Sequence, residues 1–210
     1  GLCLDEARGV LYSLSVNTGE LSAIDLKGGN SKTVPVGGRP YDVVVGPHQV
    51  FVSDWAGRQV LVIDPAELRV VRKVPVGEHP NQMALHKDGR LFVACASSNA
   101  VSVIDTKRGH VVETISTALF PKAPEGSTPD ALALSPEGET LYVANADNNC
   151  VAVLDAETPR KSAVKGFIPT GWYPTAVAVT PDGKNLLVGV GKGLKSKANP
   201  FSKKSEPSED

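Results

Sequence analysis

The chain has 210 residues, of which 41% are hydrophobic and 21% are charged, a balance typical of a folded globular protein. Its formal net charge is −1, so it has no overall basic field to attract nucleic acid or an anionic membrane surface. We therefore expect no nucleic-acid partner. No apolar run reaches the roughly 18 residues that a membrane-spanning helix needs, and we expect no membrane span.

The first residue and the cysteines add further expectations. Gly1 stands where an initiator methionine would be expected and strand-like sequence begins at once, so we expect the natural N-terminus to lie further upstream. Cys3, Cys95 and Cys150 are odd in number and widely spaced, without a CxxC pattern, which favours neither a zinc site nor a disulfide framework. We expect buried unpaired thiols, no metal site and no cofactor in this chain.

A repeated unit of about 40 residues runs along the chain. The first copy extends from Gly1 to Asp25, and the second reads YDVVVGPHQVFVS from Tyr41 and then VLVID. The third reads NQMALHKDGRLFVA and then AVSVID, and the fourth reads DALALSPEGETLYVAN and then CVAVLD. A fifth copy begins at Thr175 with TAVAVTPDGKNLLVGV and stops halfway. Such self-similarity at a fixed period indicates a repeat architecture.

Within each copy the pattern predicts four short strands. An alternating apolar run follows a proline, a turn such as Pro-Asp-Gly reverses the chain, and a Leu-Tyr-Val type strand returns. A polar loop then leads to a Val-x-Val-Ile-Asp strand and to a fourth strand. Four strands in a period near 40 are typical of a propeller blade. The sequence thus predicts an all-β β-propeller with four four-stranded antiparallel blades, at about 1–40, 41–80, 81–129 and 130–174, and half of a fifth at 175–190. Residues 191–210 lose the strand pattern and are predicted to be a Lys/Ser-rich loop or tail.

The string LYVAN at residues 141–145, with its neighbouring turn and VAVLD strand, resembles the YVTN-type bacterial β-propeller repeat over roughly residues 1–190. Residues 144–149, 166–174, 191–194 and 198–200 further resemble exported propellers that precede a phosphoesterase domain of the alkaline phosphatase superfamily. This resemblance implies a seven-bladed ring of which the chain is an open portion, a periplasmic or secreted location, and a C-terminal phosphoesterase domain as a candidate partner. In such proteins the metal-dependent active site lies in the downstream domain, so no catalytic residue is carried over to this chain.

Residues that recur in every copy are expected to serve the blade itself. Asp25, Asp64, Asp105 and Asp155 each end the third strand of their unit. This regular place favours a hydrogen bond that stabilises the following turn over a metal or acid-base role. We therefore leave these four carboxylates out of the candidate site.

Residues that differ between copies concentrate in the loops before the first strand and between the second and third strands. In a propeller with this strand order, both sets of loops emerge on one face, around the mouth of the central channel. The candidate ligand- or partner-binding residues there are Arg39, Tyr41, Asp42, Asp54, Trp55, His79, Asn81, Gln82, Asp130, Asn145, Asp147, Trp172 and Tyr173. Aromatic and hydrogen-bonding groups in such a ring suit a small polar ligand or a protein or domain surface. A merely solvated rim is the alternative.

Two functions remain open from the sequence. The first is a non-catalytic binding or scaffolding module. The second is a propeller lactonase-type hydrolase acting on a sugar lactone, for which the rim offers Asp42, Asp54, His79, Asp130 and Asp147 as acid, base or ligand groups. The chain has no GxSxG, HExxH or P-loop motif. We favour the binding module and assign no catalytic residue.

Overall fold

The computed structural model describes residues 1–194, whose strands form five antiparallel sheets. Blade 1 contains β1 (Leu2–Asp5), β2 (Val10–Ser15), β3 (Glu20–Asp25) and β4 (Ser31–Pro35). Blade 2 contains β5 (Pro40–Val45), β6 (Val50–Asp54), β7 (Gln59–Asp64) and β8 (Arg69–Pro75). Blade 3 contains β9 (Pro80–Leu85), β10 (Arg90–Cys95), β11 (Ala100–Asp105) and β12 (His110–Ser116). Blade 4 contains β13 (Pro129–Leu134), β14 (Thr140–Asn145), β15 (Cys150–Asp155) and β16 (Ala163–Pro169), and β17 (Pro174–Val179) with β18 (Leu186–Val190) forms the start of blade 5.

The strands of each sheet are paired in chain order, so every blade is a simple meander. Within residues 1–194 the one helical element is a short 3-10 turn at Ala96–Ser98, and no helix there has the length and apolarity to span a membrane. These sheets confirm the predicted all-β fold of four four-stranded blades and half of a fifth. Residues 191–194 follow β18 as a turn, and the rest of the predicted tail lies outside the described residues.

The hydrophobic core lies between blades rather than within one sheet. In blades 2 and 3 the second strands, VFVSD and RLFVAC, are buried at every position because another blade covers each of their faces. One cluster joins Phe92 of blade 3 to Leu141 and Leu154 of blade 4. Another joins Phe51 of blade 2 to Leu91 of blade 3. The blades therefore stabilise one another in the manner of a repeat array.

The recurring aspartates cap the turns after the third strands, which confirms their predicted role. Asp25 Oδ1 accepts a hydrogen bond from the Lys27 amide at 2.9 Å, and Asp64 Oδ1 accepts one from the Ala66 amide at 2.8 Å. Asp105 and Asp155 accept the equivalent bonds, each at 3.0 Å. These Asx-type turns leave the carboxylates occupied by backbone N–H groups.

Cys95 and Cys150 are buried and unpaired, as expected, whereas Cys3 is only partly buried. Burial raises the pKa of the Cys95 and Cys150 thiols, so both stay protonated at neutral pH. Cys3 lies in β1, in contact with the cluster that joins blades 1 and 2.

The loops divide between two faces of the molecule. The Trp55 amide donates to the Arg39 carbonyl at 2.9 Å, and the Ala96 amide donates to the His79 carbonyl at 3.0 Å. The loop between second and third strands therefore lies beside the segment that leads into the first strand, as predicted. We call this side the mouth face. The turns between first and second strands and between third and fourth strands meet on the opposite side, the lower face, where the Thr106 amide donates to the Gly89 carbonyl at 3.0 Å.

Candidate functional site at the channel mouth

The first strands β5, β9, β13 and β17 lie side by side at the inner edge of their blades. Each begins with a proline and an irregularity in its pairing with the second strand, between Pro40 and Val43 in blade 2 and between Pro129 and Ala131 in blade 4. Such bulges are common beside binding sites because they redirect side chains and release backbone groups from the ladder. In blades 2 and 4, two consecutive residues of the first strand line the same cavity: Tyr41 and Asp42, and Asp130 and Ala131.

Ser53 compensates for the bulge in blade 2. Its hydroxyl accepts a hydrogen bond from the Asp42 amide at 3.0 Å and donates to the Asn81 carbonyl of the next blade at 2.8 Å. The sequence analysis missed this residue. The signal was present, however, because the pairing registers place alanine at the equivalent positions, Ala94 and Ala144. A buried serine replacing alanine in one copy is an indication of a local polar role.

Side chains also link neighbouring first strands. Asp42 Oδ2 accepts a hydrogen bond from the Met83 amide at 2.8 Å, and Gln82 Oε1 accepts one from the Leu132 amide at 2.7 Å. Each uses one oxygen to hold the next blade. Both residues therefore combine a bracing role with a place on the channel wall.

A cavity of about 340 Å³ lies at this wall, within the range of small-ligand pockets. Among its eight lining residues are five polar side chains from four different blades: Tyr41, Asp42, Gln82, Asp130 and Thr175. Four of them belong to the predicted site, and Thr175 adds a hydroxyl from the start of β17. The first strands thus converge on a single polar cavity.

Two carboxylates dominate the electrostatics of the cavity. Burial raises the pKa of Asp42 and of Asp130, although the Asn81 amide, which donates to Asp130 Oδ1 at 2.5 Å, acts in the opposite direction on Asp130. Burial, followed by the nearby negative charges of Asp130 and Asp42, also raises the pKa of Tyr41. The wall of the cavity is therefore rich in hydrogen-bond acceptors, and burial makes its two carboxyl groups harder to ionise than exposed ones.

An aromatic pair lies in the loops of the mouth face. Trp55 stacks on His79 with ring centroids 3.9 Å apart and an interplanar angle of 18°. His79 Nδ1 is 2.6 Å from the Ser97 hydroxyl, which fixes the imidazole plane. The stack spans the boundary between blades 2 and 3, so the structure brings these two predicted residues into direct contact.

Three predicted residues are buried below the rim. Asp54 is 3% exposed and accepts hydrogen bonds from the amides of Arg39 and Gly57 at 2.9 and 3.1 Å. Asn145 is fully buried and donates to the Thr117 carbonyl at 2.8 Å. Asn81, 5% exposed, donates to Asp130 as described above. Asp54 and Asn145 therefore hold the loops in place, and Asn81 positions the Asp130 carboxylate. None of the three lies on the exposed part of the rim.

The remaining predicted residues form the outer rim. Arg39 and Asp147 are exposed, and Trp172 is 46% exposed. Tyr173 donates its amide to Asn149 Oδ1 at 2.9 Å, and the Lys192 ammonium lies 4.2 Å from the centroid of its ring. Burial, and then the charges of Asp147 and Asp130, raise the Tyr173 pKa, so its phenol lies near the carboxylates of the mouth.

The backbone at the mouth face is strained in a repeated way. His79, Thr128 and Tyr173 each precede a first-strand proline and adopt φ of 51°, 51° and 60°. Non-glycine residues rarely occupy this left-handed region, and such outliers cluster at functional sites.

Within residues 1–194, no group of three or more His, Cys, Asp or Glu side chains is arranged to hold a metal ion.

The sheets and the acidic channel mouth define a β-propeller whose first strands carry a polar site. The chain belongs to the lactonase, seven-bladed β-propeller family, whose model matches residues 69–194. It is 30% identical over 97 residues to an uncharacterized protein, YncE, of Salmonella typhi, a match that spans 46% of this chain and 25% of that protein.

Solved structures show the same fold. A protein from Lactobacillus plantarum matches with a TM-score of 0.80 and 20% identity over 90% of this chain and 63% of that one. Virginiamycin B lyase from Staphylococcus aureus matches with a TM-score of 0.73 and 15% identity over 89% of this chain and 61% of that one. The chain therefore spans about three fifths of the length of these propellers.

Proposed function

We propose that this chain is a non-catalytic binding module whose channel mouth holds a small polar ligand rich in O–H or N–H groups. The observation that carries the proposal is the cavity of about 340 Å³ into which first strands bring Asp42, Asp130, Tyr41 and Gln82. Carboxylate, amide and phenol oxygens there accept hydrogen bonds. A neutral polyol or an amino sugar complements such a wall, whereas the two carboxylates repel an anion.

Calorimetric titration with D-glucosamine, D-glucose and D-gluconate tests this charge preference. We expect glucosamine to bind at least as tightly as glucose, and gluconate to bind at least tenfold more weakly than either. Asp130→Asn keeps the shape of the side chain and is expected to reduce the preference for glucosamine over glucose. Asp182→Asn, in an exposed turn on the lower face, is the matched control and is expected to change nothing. Tighter binding of gluconate than of glucose would overturn the proposal.

Lactone hydrolysis is the second candidate, favoured by the family to which the chain belongs. Asp42 and Asp130 have pKa values raised toward the range in which a carboxylate acts as a general base. Acid release from D-glucono-δ-lactone, measured as the base that a pH-stat adds to neutralise the gluconic acid formed, distinguishes the two functions. Hydrolysis above the spontaneous rate that Asp130→Asn abolishes would support the hydrolase. A rate equal to that of buffer supports the binding module.

We further propose that the module belongs to an exported bacterial protein and packs as a scaffold against a fused phosphoesterase domain. The resemblance of residues 144–149 and 166–174 to such propellers supports this arrangement. Sequencing the complete gene tests it directly. A signal peptide and a downstream phosphoesterase domain are the expected result, and a gene that encodes only a propeller would contradict it.

A further inference from the structure

A second cavity, of about 590 Å³, lies on the lower face between blades 2 and 3. It is bounded by the β5–β6 turn at residues 46–49, the β9–β10 turn at 86–89 and the start of the β11–β12 turn at 106–107. Phe51 and Leu85 form its apolar floor. It lies on the opposite face from the channel mouth and shares no residue with the site there.

The boundary between blades 3 and 4 shows how such a space is closed. Arg90 is 5% exposed, and its guanidinium carbon lies 5.3 Å from the centroid of the Phe92 ring. Its Nη2 donates to the Ala156 carbonyl of blade 4 at 2.7 Å, and its Nε donates to Asp88 at 2.7 Å. One cationic side chain thus covers the aromatic ring and joins the two blades.

The backbone identifies Gln49 as the equivalent of Arg90 in blade 2. The Gly46 amide donates to the Gln49 carbonyl and the His86 amide donates to the Arg90 carbonyl, each at 2.8 Å, as the closing bond of the first turn. The pairing registers likewise make Phe51 the equivalent of Phe92.

The acceptor of the cross-blade bond also recurs, because Thr106 follows Asp105 as Ala156 follows Asp155 at the end of the third strand. The aromatic floor and the acceptor position are therefore repeated at the boundary between blades 2 and 3. Gln49 is shorter than arginine and uncharged, and it lines the cavity instead of filling it. The cavity occupies the place of a missing arginine.

The charges at the rim of the cavity favour an anion. The Asp88 carboxylate is engaged by Arg90 and by His86 Nδ1, which lies 2.7 Å away. Lys87 reaches across to the Glu137 carbonyl at 2.6 Å, and Lys107 is exposed at the edge of the cavity. With Asp88 balanced by Arg90, the exposed Lys107 ammonium has no ion-pair partner among residues 1–194 and leaves positive charge at the rim.

We propose that this cavity is a second binding site, for a small flat apolar anion such as an aromatic carboxylate. Its ring packs on Phe51 and Leu85 in the space that an arginine fills one blade further along. Its carboxylate faces the Lys107 ammonium. The volume of about 590 Å³ accommodates a two-ring ligand together with water.

Calorimetric titration with 2-naphthoate, and with the uncharged 2-naphthalenemethanol, tests the site. Gln49→Arg introduces a side chain long enough to fill the cavity, as Arg90 does at the next boundary. We expect it to weaken binding of both probes at least tenfold without lowering the melting temperature. Lys107→Gln is expected to weaken the binding of 2-naphthoate about two- to fivefold, which is the effect of one partly exposed ion pair, and to leave the binding of the alcohol unchanged. Lys27→Gln is the matched control, because Lys27 holds the same turn position in blade 1 as Lys107 does in blade 3.

Each outcome decides for or against the site. Binding that Gln49→Arg leaves intact places the probe elsewhere and overturns the proposal, as does a failure of 2-naphthoate to bind the unmodified protein. An equal effect of Lys107→Gln and Lys27→Gln overturns the assigned contact with Lys107. Because Lys107 is exposed, its substitution gives a result even if Gln49→Arg fails to fold.

Discussion

Asp42 combines a partly buried carboxylate with a hydrogen bond that holds the next blade. Its Oδ2 accepts from the Met83 amide, and burial raises its pKa above the ordinary value. A raised pKa means that the folded protein binds the proton more tightly than the unfolded chain does. The free energy of unfolding therefore falls as the pH rises from the unfolded pKa through the folded one. Ionised Asp42 costs stability at neutral pH.

The substitution Asp42→Asn tests this residue. The amide oxygen still accepts from the Met83 amide but carries no charge, so the stability of the variant relative to the unmodified protein should rise as the pH increases from about 4 to 7. Urea unfolding at a series of pH values measures this difference in the free energy of unfolding. Asp182→Asn should show the opposite trend, and at and below about pH 4, because Thr180 and the Lys184 amide hold the Asp182 pKa below its ordinary value. Parallel profiles for the two variants would show that burial does not govern Asp42.

At the scale of the blade, stability depends on the contacts that one blade makes with the next. Arg90 contacts Asp88 and Phe92 of its own blade and donates to the Ala156 carbonyl of blade 4, whereas Gln49 at the equivalent place borders a cavity. Truncation of Arg90 removes buried hydrogen bonds and leaves the buried Ala156 carbonyl without its partner. Truncation of Gln49 removes few contacts, because its side chain borders a cavity.

We therefore expect Arg90→Ala to lower the free energy of unfolding by about 2–3 kcal/mol, and Gln49→Ala by less than about 1 kcal/mol. Equilibrium unfolding in urea, with the two variants side by side, measures this difference. The pair forms its own control, because both positions close the same kind of turn. Equal losses would mean that the interaction of Arg90 with blade 4 adds nothing to stability.

Across the whole molecule, the blades differ in how well they are covered. The second and third strands of blades 2 and 3 are almost wholly buried. In contrast, Leu2 of β1 is 69% exposed and Leu187 of β18 is 58% exposed. In a repeat array each unit is stabilised by its neighbours, so in this chain we expect the strands with the most exposed apolar side chains to open first.

Hydrogen exchange followed by mass spectrometry should show this gradient. We expect amides of β6, β7, β10 and β11 to be the slowest to exchange, and those of β1, β17 and β18 to exchange at least tenfold faster. Amides in the second strands β6 and β18 provide the direct comparison, because they have the same place in their blades. Uniform protection along the chain would show that the blades unfold as a single cooperative unit.

The sequence determined the architecture because its information is local and repeated. Alternating apolar residues, a turn and a Val-x-Val-Ile-Asp strand recur in every copy, and each predicts a strand from its own few residues. The recurring aspartates could be assigned to turns for the same reason, since Asp64 and its donor Ala66 are neighbours in the chain. The position of variable residues at the channel mouth followed from strand order alone.

Only the tertiary structure decided what those variable side chains do. Asp54 and Asp42 look alike in the sequence, yet the first braces its own loop and the second lines the cavity. The lower-face cavity could not be predicted from the sequence either, because it depends on how Gln49 of blade 2 packs against the turns of blade 3. These outcomes rest on contacts between residues tens of positions apart, such as that of Asn81 with Asp130. Packing between blades fixes such contacts, and no local pattern encodes them.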